Sequence, residues 1–278
     1  MKYYDMHTHT HFSHDSVANP IEMVKSAIAK GVSGIAFTEH CDTNYMFEEH
    51  NIMECMGESI DTAKVLNEKY GGKIQVLCGI EISESFQNKP RTVEVLKNYG
   101  DKIDALLCSV HVIDWKKHPE PISAYKFNEF SDAEVKTMTD MYYNDIMTML
   151  DYLDGDILCH LTYPYRYINL AYSLSSYSYH DYLPQIKTIL KKAISKDMAL
   201  EVNTSNLAKF SNGFYMVDKE LLELYKELGG KLVTLGSDAH APQNVGVDFE
   251  NAVQTIKSAG FNEYCYFKNR NPIIVKID

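Results

Sequence analysis

The chain has 278 residues, 45% hydrophobic and 23% charged, with a formal net charge of −11 and arginine only at Arg91, Arg166 and Arg270. This is the composition of an ordinary globular protein. It excludes a nucleic-acid binder, which needs a basic stripe, and a membrane span, since no run reaches the roughly 18 apolar residues required.

Polar histidines begin at residue 7, so no signal peptide is expected. Cys41, Cys55, Cys78, Cys108, Cys159 and Cys265 form no C-x-x-C pair and read as packed, reduced thiols, which points to the cytoplasm. Bound cations would offset part of the acidity.

Short strand-type runs alternate with amphipathic helices. Lys2-Tyr3-Tyr4-Asp5-Met6 reads as a strand that runs into His7-Thr8-His9. Asn19-Pro20 caps and opens a helix with Ile21, Val24, Ala27 and Ile28 as its buried stripe, and Gly31 stops it. A strand over 34–38 follows, then a helix over about 56–70, a strand over 74–78, a helix over 92–99 and a strand over 105–110. Ser131-Asp132-Ala133-Glu134 is a capping box opening a long helix. The strand at 156–159 precedes a helix over about 181–196, and the strand at 199–202 precedes one capped near Asp218. A strand over 231–235, a helix near 247–259 and a short run at 264–267 close the pattern.

Seven β-then-α units without a linker predict one domain over 1–278, an α/β fold of the (β/α) barrel kind. No Gly-x-Gly-x-x-Gly follows the first strand to favour a nucleotide-binding open sheet. The long connections 112–130, with Trp115 and His118, and 161–180 both follow strands, which places them over the face where barrel active sites form.

The strand ends share one chemistry. They carry His7 and His9 with His14 just beyond, then His40, Glu81, His111, His160, the segment 201–205, and finally Asp238 with His240. On an extended strand His-x-His sends both rings to one face. Seven histidines and two acids exceed the needs of one ion; with one carboxylate bridging they match three ions making four, three and three contacts. Imidazole and carboxylate without thiolate suit zinc, manganese or iron. His11, His50, His118 and His180 fall off the pattern.

The motifs His7-Thr8-His9, His14, Thr38-Glu39-His40-Cys41-Asp42, Gly79-Ile80-Glu81, Ser109-Val110-His111, His160 and Ser237-Asp238-Ala239-His240 resemble the PHP (polymerase and histidinol phosphatase) superfamily along the whole chain. The resemblance implies a distorted seven-stranded TIM-like (β/α) barrel holding up to three metals. By position, one ion would take His7, His9, Glu81 and Asp238. A second would take the other oxygen of Glu81 with His111 and His160, and a third His14, His40 and His240. Glu39 stands where many relatives carry aspartate and is expected beside the ligands, not among them. Leu161-Thr162-Tyr163-Pro164 likewise stands where some relatives place an aspartate.

Glu201-Val202-Asn203-Thr204-Ser205 and Cys41-Asp42 look most like the histidinol-phosphate phosphatase branch, which implies hydrolysis of L-histidinol phosphate. The alternative is a PHP phosphoesterase acting on a nucleotide or another small phosphate ester. Clustered divalent ions lower the pKa of a bridging water and neutralise phosphate charge. Arg166 and, after it, Arg91 are the candidates for the phosphate cradle, Ser205 and Asn203 for substrate hydrogen bonds, and Asp42 or His240 for protonating the alkoxide. Seven tyrosines over 163–182 read as a lid or as a packed cover. The sequence assigns no oligomeric state.

Overall fold

Each of the seven expected runs from 2–6 to 231–235 forms a strand, and its neighbours among them in sequence are its neighbours in the sheet. The computed structural model describes residues 1–44, 47 and 50–277. In chain order the first half holds β1 (Tyr4–Thr8), α1 (Pro20–Ala29), β2 (Gly34–Asp42), α2 (Ile52–Tyr70), β3 (Gln75–Ser83), α3 (Lys89–Tyr99) and β4 (Ala105–Ser109). An antiparallel hairpin of β5 (Val112–Trp115) and β6 (His118–Pro121) follows, then α4 (Asp132–Tyr152) and β7 (Ile157–Leu158). The chain continues with α5 (Leu183–Ser195), β8 (Ala199–Asn203), α6 (Ser205–Lys209), α7 (Lys219–Glu227), β9 (Val233–Gly236), α8 (Phe249–Ser258), β10 (Glu263–Lys268) and β11 (Asn271–Lys276).

The parallel order is β1-β2-β3-β4-β7-β8-β9. β2 and β3 run past their expected ends to Asp42 and Ser83, and their register sets His40 beside Glu81. The last strand then meets the first: His9 N donates to Ala239 O at 2.9 Å and Asp238 N to His7 O at 2.8 Å, which nearly closes a seven-stranded barrel. Buried Asp5 staples this seam, accepting from Ser237 N at 2.9 Å, Ser237 Oγ at 2.6 Å and Gly246 N at 3.0 Å.

The barrel interior is filled by Met6, Ala36, Leu77, Leu107, Ile157 and Ala199. The run at 264–267 departs from expectation. It pairs with 271–276 as a hairpin that plugs the barrel's N-terminal end with Cys265 and Phe267, while Tyr266 stacks on Tyr4 at 3.8 Å. Arg270 ties this plug to Asp156 and to the Asp154 carbonyl.

The helices bury their predicted stripes outside the sheet. Ser131 and Glu134 form the expected capping box, and Asn19 and Asp218 accept from Ile21 N and Leu221 N. Among the described residues no helix is long and apolar enough to cross a membrane.

Candidate active site

The residues named at the strand ends converge at the C-terminal mouth of the barrel. Glu81 is fully buried at their centre. Its Oε2 lies 3.3 Å from His7 Nε2, 3.6 Å from His9 Nε2 and 2.9 Å from His40 Nδ1. Its Oε1 lies 2.9 Å from His160 Nε2 and 3.2 Å from His111 Nε2, and those two nitrogens are 3.3 Å apart. Asp238 Oδ1 stands 3.6 Å from His9 Nε2.

Ligand atoms about 2.1 Å from a tetrahedral ion lie about 3.4 Å from one another. The spacings around both oxygens of Glu81 are of that size, so the donor set fits divalent cations on each side of one carboxylate. The hydrogen bonds set the tautomers to match. Glu201 Oε1 can only accept, at 2.6 Å from His7 Nδ1, so that nitrogen carries the proton. Ser13 Oγ gives its proton to Glu39 and therefore accepts from His9 Nδ1 at 3.0 Å. With Nδ1 so committed, both rings turn Nε2 inward, and neither of these buried atoms has a hydrogen-bond partner. Burial, with His40 and His240 beside it, holds His9 well below the usual histidine range, so its ring is neutral. Burial alone would raise the Glu81 carboxyl, but His7, His111 and His40 outweigh it and hold it well below the carboxylate range.

A third group lies nearer solvent. His240 Nδ1 bonds the Asp238 carbonyl at 2.9 Å, and its Nε2 is 3.4 Å from His40 Nε2. Asp15 stands between these two rings, 3.5 Å from His40 Nε2 and 3.1 Å from His240 Nε2. His14 sits to one side, its ring 5.4 Å from that of His40 and its Nδ1 3.6 Å from Asp42 Oδ2. Asp42 accepts from Ser83 Oγ at 2.5 Å, and its Oδ1 faces His111 Nδ1 at 3.6 Å. Asp15 drew no attention in the sequence, being one loop carboxylate in an acidic chain.

Glu39 lies beside the clustered histidines, accepting from Thr10 N, Thr10 Oγ1 and Ser13 Oγ. Glu201 was singled out only as part of a motif. It holds His7 and also accepts from His160 N at 2.8 Å. His160 and Asp238 have φ of 24° and 50°, a left-handed backbone that costs roughly 1–3 kcal/mol at a non-glycine residue. The barrel supports this at the two points where a strand end must turn its side chain inward.

Arg166 is buried on the cavity wall. Its Nε donates to Asn206 Oδ1 at 2.7 Å, and its Nη2 to Ser205 Oγ and to Asp238 Oδ2 at 3.3 Å. Asn203 Oδ1 accepts from Ser205 Oγ at 2.6 Å, so Asn203 acts from behind the wall. Arg91 lies elsewhere: on α3 it donates to Asn44 O at 2.7 Å and stacks over Phe47, and it does not line the cavity. Of the seven tyrosines only Tyr163 and Tyr167 line it. Tyr177, Tyr179 and Tyr182 bond Asp132, Asp218 and the Lys136 carbonyl, so most of the segment packs as a cover.

The cavity has a volume of about 310 Å³, the size of a small-metabolite site, and opens above the histidines. Val112, Pro121 and Ser123 wall it on one side, Tyr163, Arg166 and Tyr167 on another, and Lys209 closes the circuit.

A barrel with imidazole and carboxylate ligands at its C-terminal mouth defines a class, and the chain matches the PHP domain model over residues 5–205. It belongs to the PHP domain family. It is 30% identical to the histidinol-phosphatase of Lactococcus lactis subsp. lactis, covering 96% of this chain and 95% of that one. It is 28% identical to the Clostridium acetobutylicum protein named "Probable histidinol-phosphatase", covering 95% and 97%. In fold it resembles, with a TM-score of 0.72 and 24% identity, the crystal structure of histidinol phosphate phosphatase from Lactococcus lactis complexed with zinc, L-histidinol and phosphate. That match covers 98% of this chain and 100% of the other.

Proposed function

We propose that the chain is a metal-dependent phosphomonoesterase that hydrolyses L-histidinol phosphate to L-histidinol and phosphate. The observation that carries it is the Glu81 carboxylate, with each oxygen facing its own set of imidazole nitrogens beneath a cavity walled by Arg166. The names of the full-length relatives supply the substrate.

Three divalent ions (zinc, manganese or iron) fit the donors. His7, His9, Glu81 and Asp238 would hold the first, and Glu81, His111 and His160 the second. His40 and His240 would hold the third together with Asp15 or His14, and Asp15 is favoured because its carboxylate spans both imidazoles. When bound, such ions supply water acidified to near neutral pH and neutralise charge on the phosphate oxygens. The residues of the chain do the rest. Arg166, fixed by Asn206, Ser205 and Asp238, presents a guanidinium to the phosphate. The ring of Tyr163, 5.0 Å from that of His160, keeps water off that side. The departing alkoxide takes its proton at the cavity wall, where Asp42 and His240 both stand. Asp42 keeps Oδ2 without a hydrogen-bond partner. Burial would raise its carboxyl, but the hydrogen bond from His111 and the charge of His40 outweigh it and hold the carboxyl down to about 2, so it stands there as a carboxylate. His240 commits Nδ1 to the Asp238 carbonyl. Residues 206–278 belong to the same functional unit as 5–205, because Asp238 and His240 complete the site from beyond the matched span.

The test is elemental analysis of metals per chain together with phosphate release from L-histidinol phosphate, a nucleotide and a generic phosphomonoester. About three ions and a strong preference for histidinol phosphate are expected. Metal without that preference would leave a phosphoesterase of another substrate. Loss of one ion in Asp15→Asn but not in His14→Ala would fix the third ligand set.

A further inference from the structure

Lys209 ends α6 and lines the cavity, yet no motif pointed to it. Ser205 opens the same short helix, one turn earlier. Residues four apart share a helix face, and Ser205 turns its hydroxyl to Arg166 and Asp238. Lys209 therefore rises on the face of α6 that looks into the cavity, one turn above the Arg166 contact.

The two cations of the wall are used differently. Arg166 spends Nε and Nη2 on Asn206, Ser205 and Asp238, and the charge of Asp238 lies against it. Lys209 is exposed and makes no hydrogen bond or ion pair among the described residues. A dianionic phosphate approaching this chain meets a formal net charge of −11, with Asp15, Asp42 and Asp238 on the cavity wall itself. An unpaired ammonium at the mouth focuses the local potential the other way. Its compact charge on a flexible stem can follow the phosphate inward. The same charge repels a substrate ammonium, so it also selects which end of an amino-phosphate enters first.

We propose that Lys209 is a second phosphate-contacting residue that captures the phosphate end of the substrate and sets its orientation, while Arg166 holds the reacting geometry. This rests on the phosphomonoester function proposed above. The experiment compares metal-loaded wild type, Lys209→Met, Lys209→Arg and, as a charge control far from the cavity, Lys219→Met, which lies on α7 paired with Glu223. Inorganic phosphate binding is measured by calorimetry, and KM and kcat are measured on L-histidinol phosphate at low and high salt.

Lys209→Met is expected to weaken phosphate binding about tenfold and to raise KM by a similar factor, with kcat within about twofold, because a contact made equally in ground and transition states is lost. Added salt should narrow the gap. Lys209→Arg should restore most of the binding, and Lys219→Met should change nothing. Unchanged phosphate binding and KM in Lys209→Met would overturn the assignment, as would an equal effect from Lys219→Met. If the wild type ignores histidinol phosphate while Lys209→Met still loses phosphate affinity, the contact stands and only the substrate assignment falls.

Discussion

At the N-terminal end of the barrel, Asp156 Oδ2 accepts from Leu106 N at 2.7 Å and from Arg270 Nε at 2.5 Å. Beside it Asp104 accepts from Cys78 N at 3.0 Å and Asn269 N at 2.9 Å. At the C-terminal end His7 Nε2, His9 Nε2, His40 Nδ1, Asp42 Oδ2 and Glu81 Oε2 are buried without a hydrogen-bond partner. An unmatched buried polar group costs about 1–3 kcal/mol, so the chain carries at one end a penalty that it avoids at the other. The penalty is tolerable where the missing partners are cations. One end of the barrel is built for stability, the other for binding.

The most severe break of that contrast is Glu81→Gln. It removes the one charge shared by both histidine groups at the mouth. Metal content measured after dialysis should drop by at least two ions, and phosphatase activity should fall by about 10³-fold or more. Normal metal content in this variant would show that the carboxylate is structural.

The opposite end should respond in the opposite currency. Phe267 is buried in the plug, packed with barrel residues such as Met6 and Leu77. Phe267→Ala is expected to cost about 3–5 kcal/mol of stability, read as a lower urea midpoint. Metals per chain and kcat at low temperature should hold. A variant that kept its stability but lost metal would join the two ends that the structure separates.

A subtler variant sharpens the division within the mouth itself. Glu201 lies behind His7, fixing its tautomer from outside the donor cluster. Glu201→Gln keeps the volume but removes the charge that holds His7 Nδ1 protonated. Metal affinity measured by chelator competition should fall about 10–100-fold, with the KM of the fully loaded enzyme little changed.

These residues also show what a sequence discloses. His7, His9, His40, Glu81, His111, His160 and Asp238 were legible because parallel strands deliver their last residues to one rim, so position alone implies proximity. Their partners were not. Glu201 sits one turn of strand before Asn203 and bears no mark of which histidine it faces. Asp15 and His14 are adjacent, and only the loop's path decides which of them reaches between His40 and His240. The β5–β6 hairpin escaped notice because its turn uses Lys116 and Lys117 at φ 53° and 64°, where Asn-Gly is the usual signal. Arg91 was drawn toward the site by its position after β3, but helix α3, capped by Asn88, turns it to Asn44 instead. Tyrosine enrichment over 163–182 left both a lid and a packed cover open, because composition does not say where a hydroxyl points: Tyr177, Tyr179 and Tyr182 bond neighbouring segments, while Tyr163 and Tyr167 line the cavity.

The smallest expected effect tests whether charge is managed only at the two ends. Asp145 lies on the side of the barrel, on α4, and is half-buried facing Asp114 of β5. Burial first, and Asp114 second, push its carboxyl up to about 7 from an ordinary value of 3.8. A carboxyl raised on folding binds more protons in the native state than in the unfolded one. Its favourable contribution is therefore full below pH 3.8 and is lost as pH rises through about 7. Asp145→Asn makes the neutral form permanent. It should stabilise the protein by on the order of 1 kcal/mol at pH 8, discounted because the side chain keeps part of its water, and by little at pH 5. Thermal melts of both proteins at the two pH values measure this. A difference that grows with pH would place a third, unmatched charge on the barrel wall, where neither a protein partner nor a cation answers it. Equal melting at both values would mean that water reaches Asp145 and that this charge on the barrel wall costs the fold nothing.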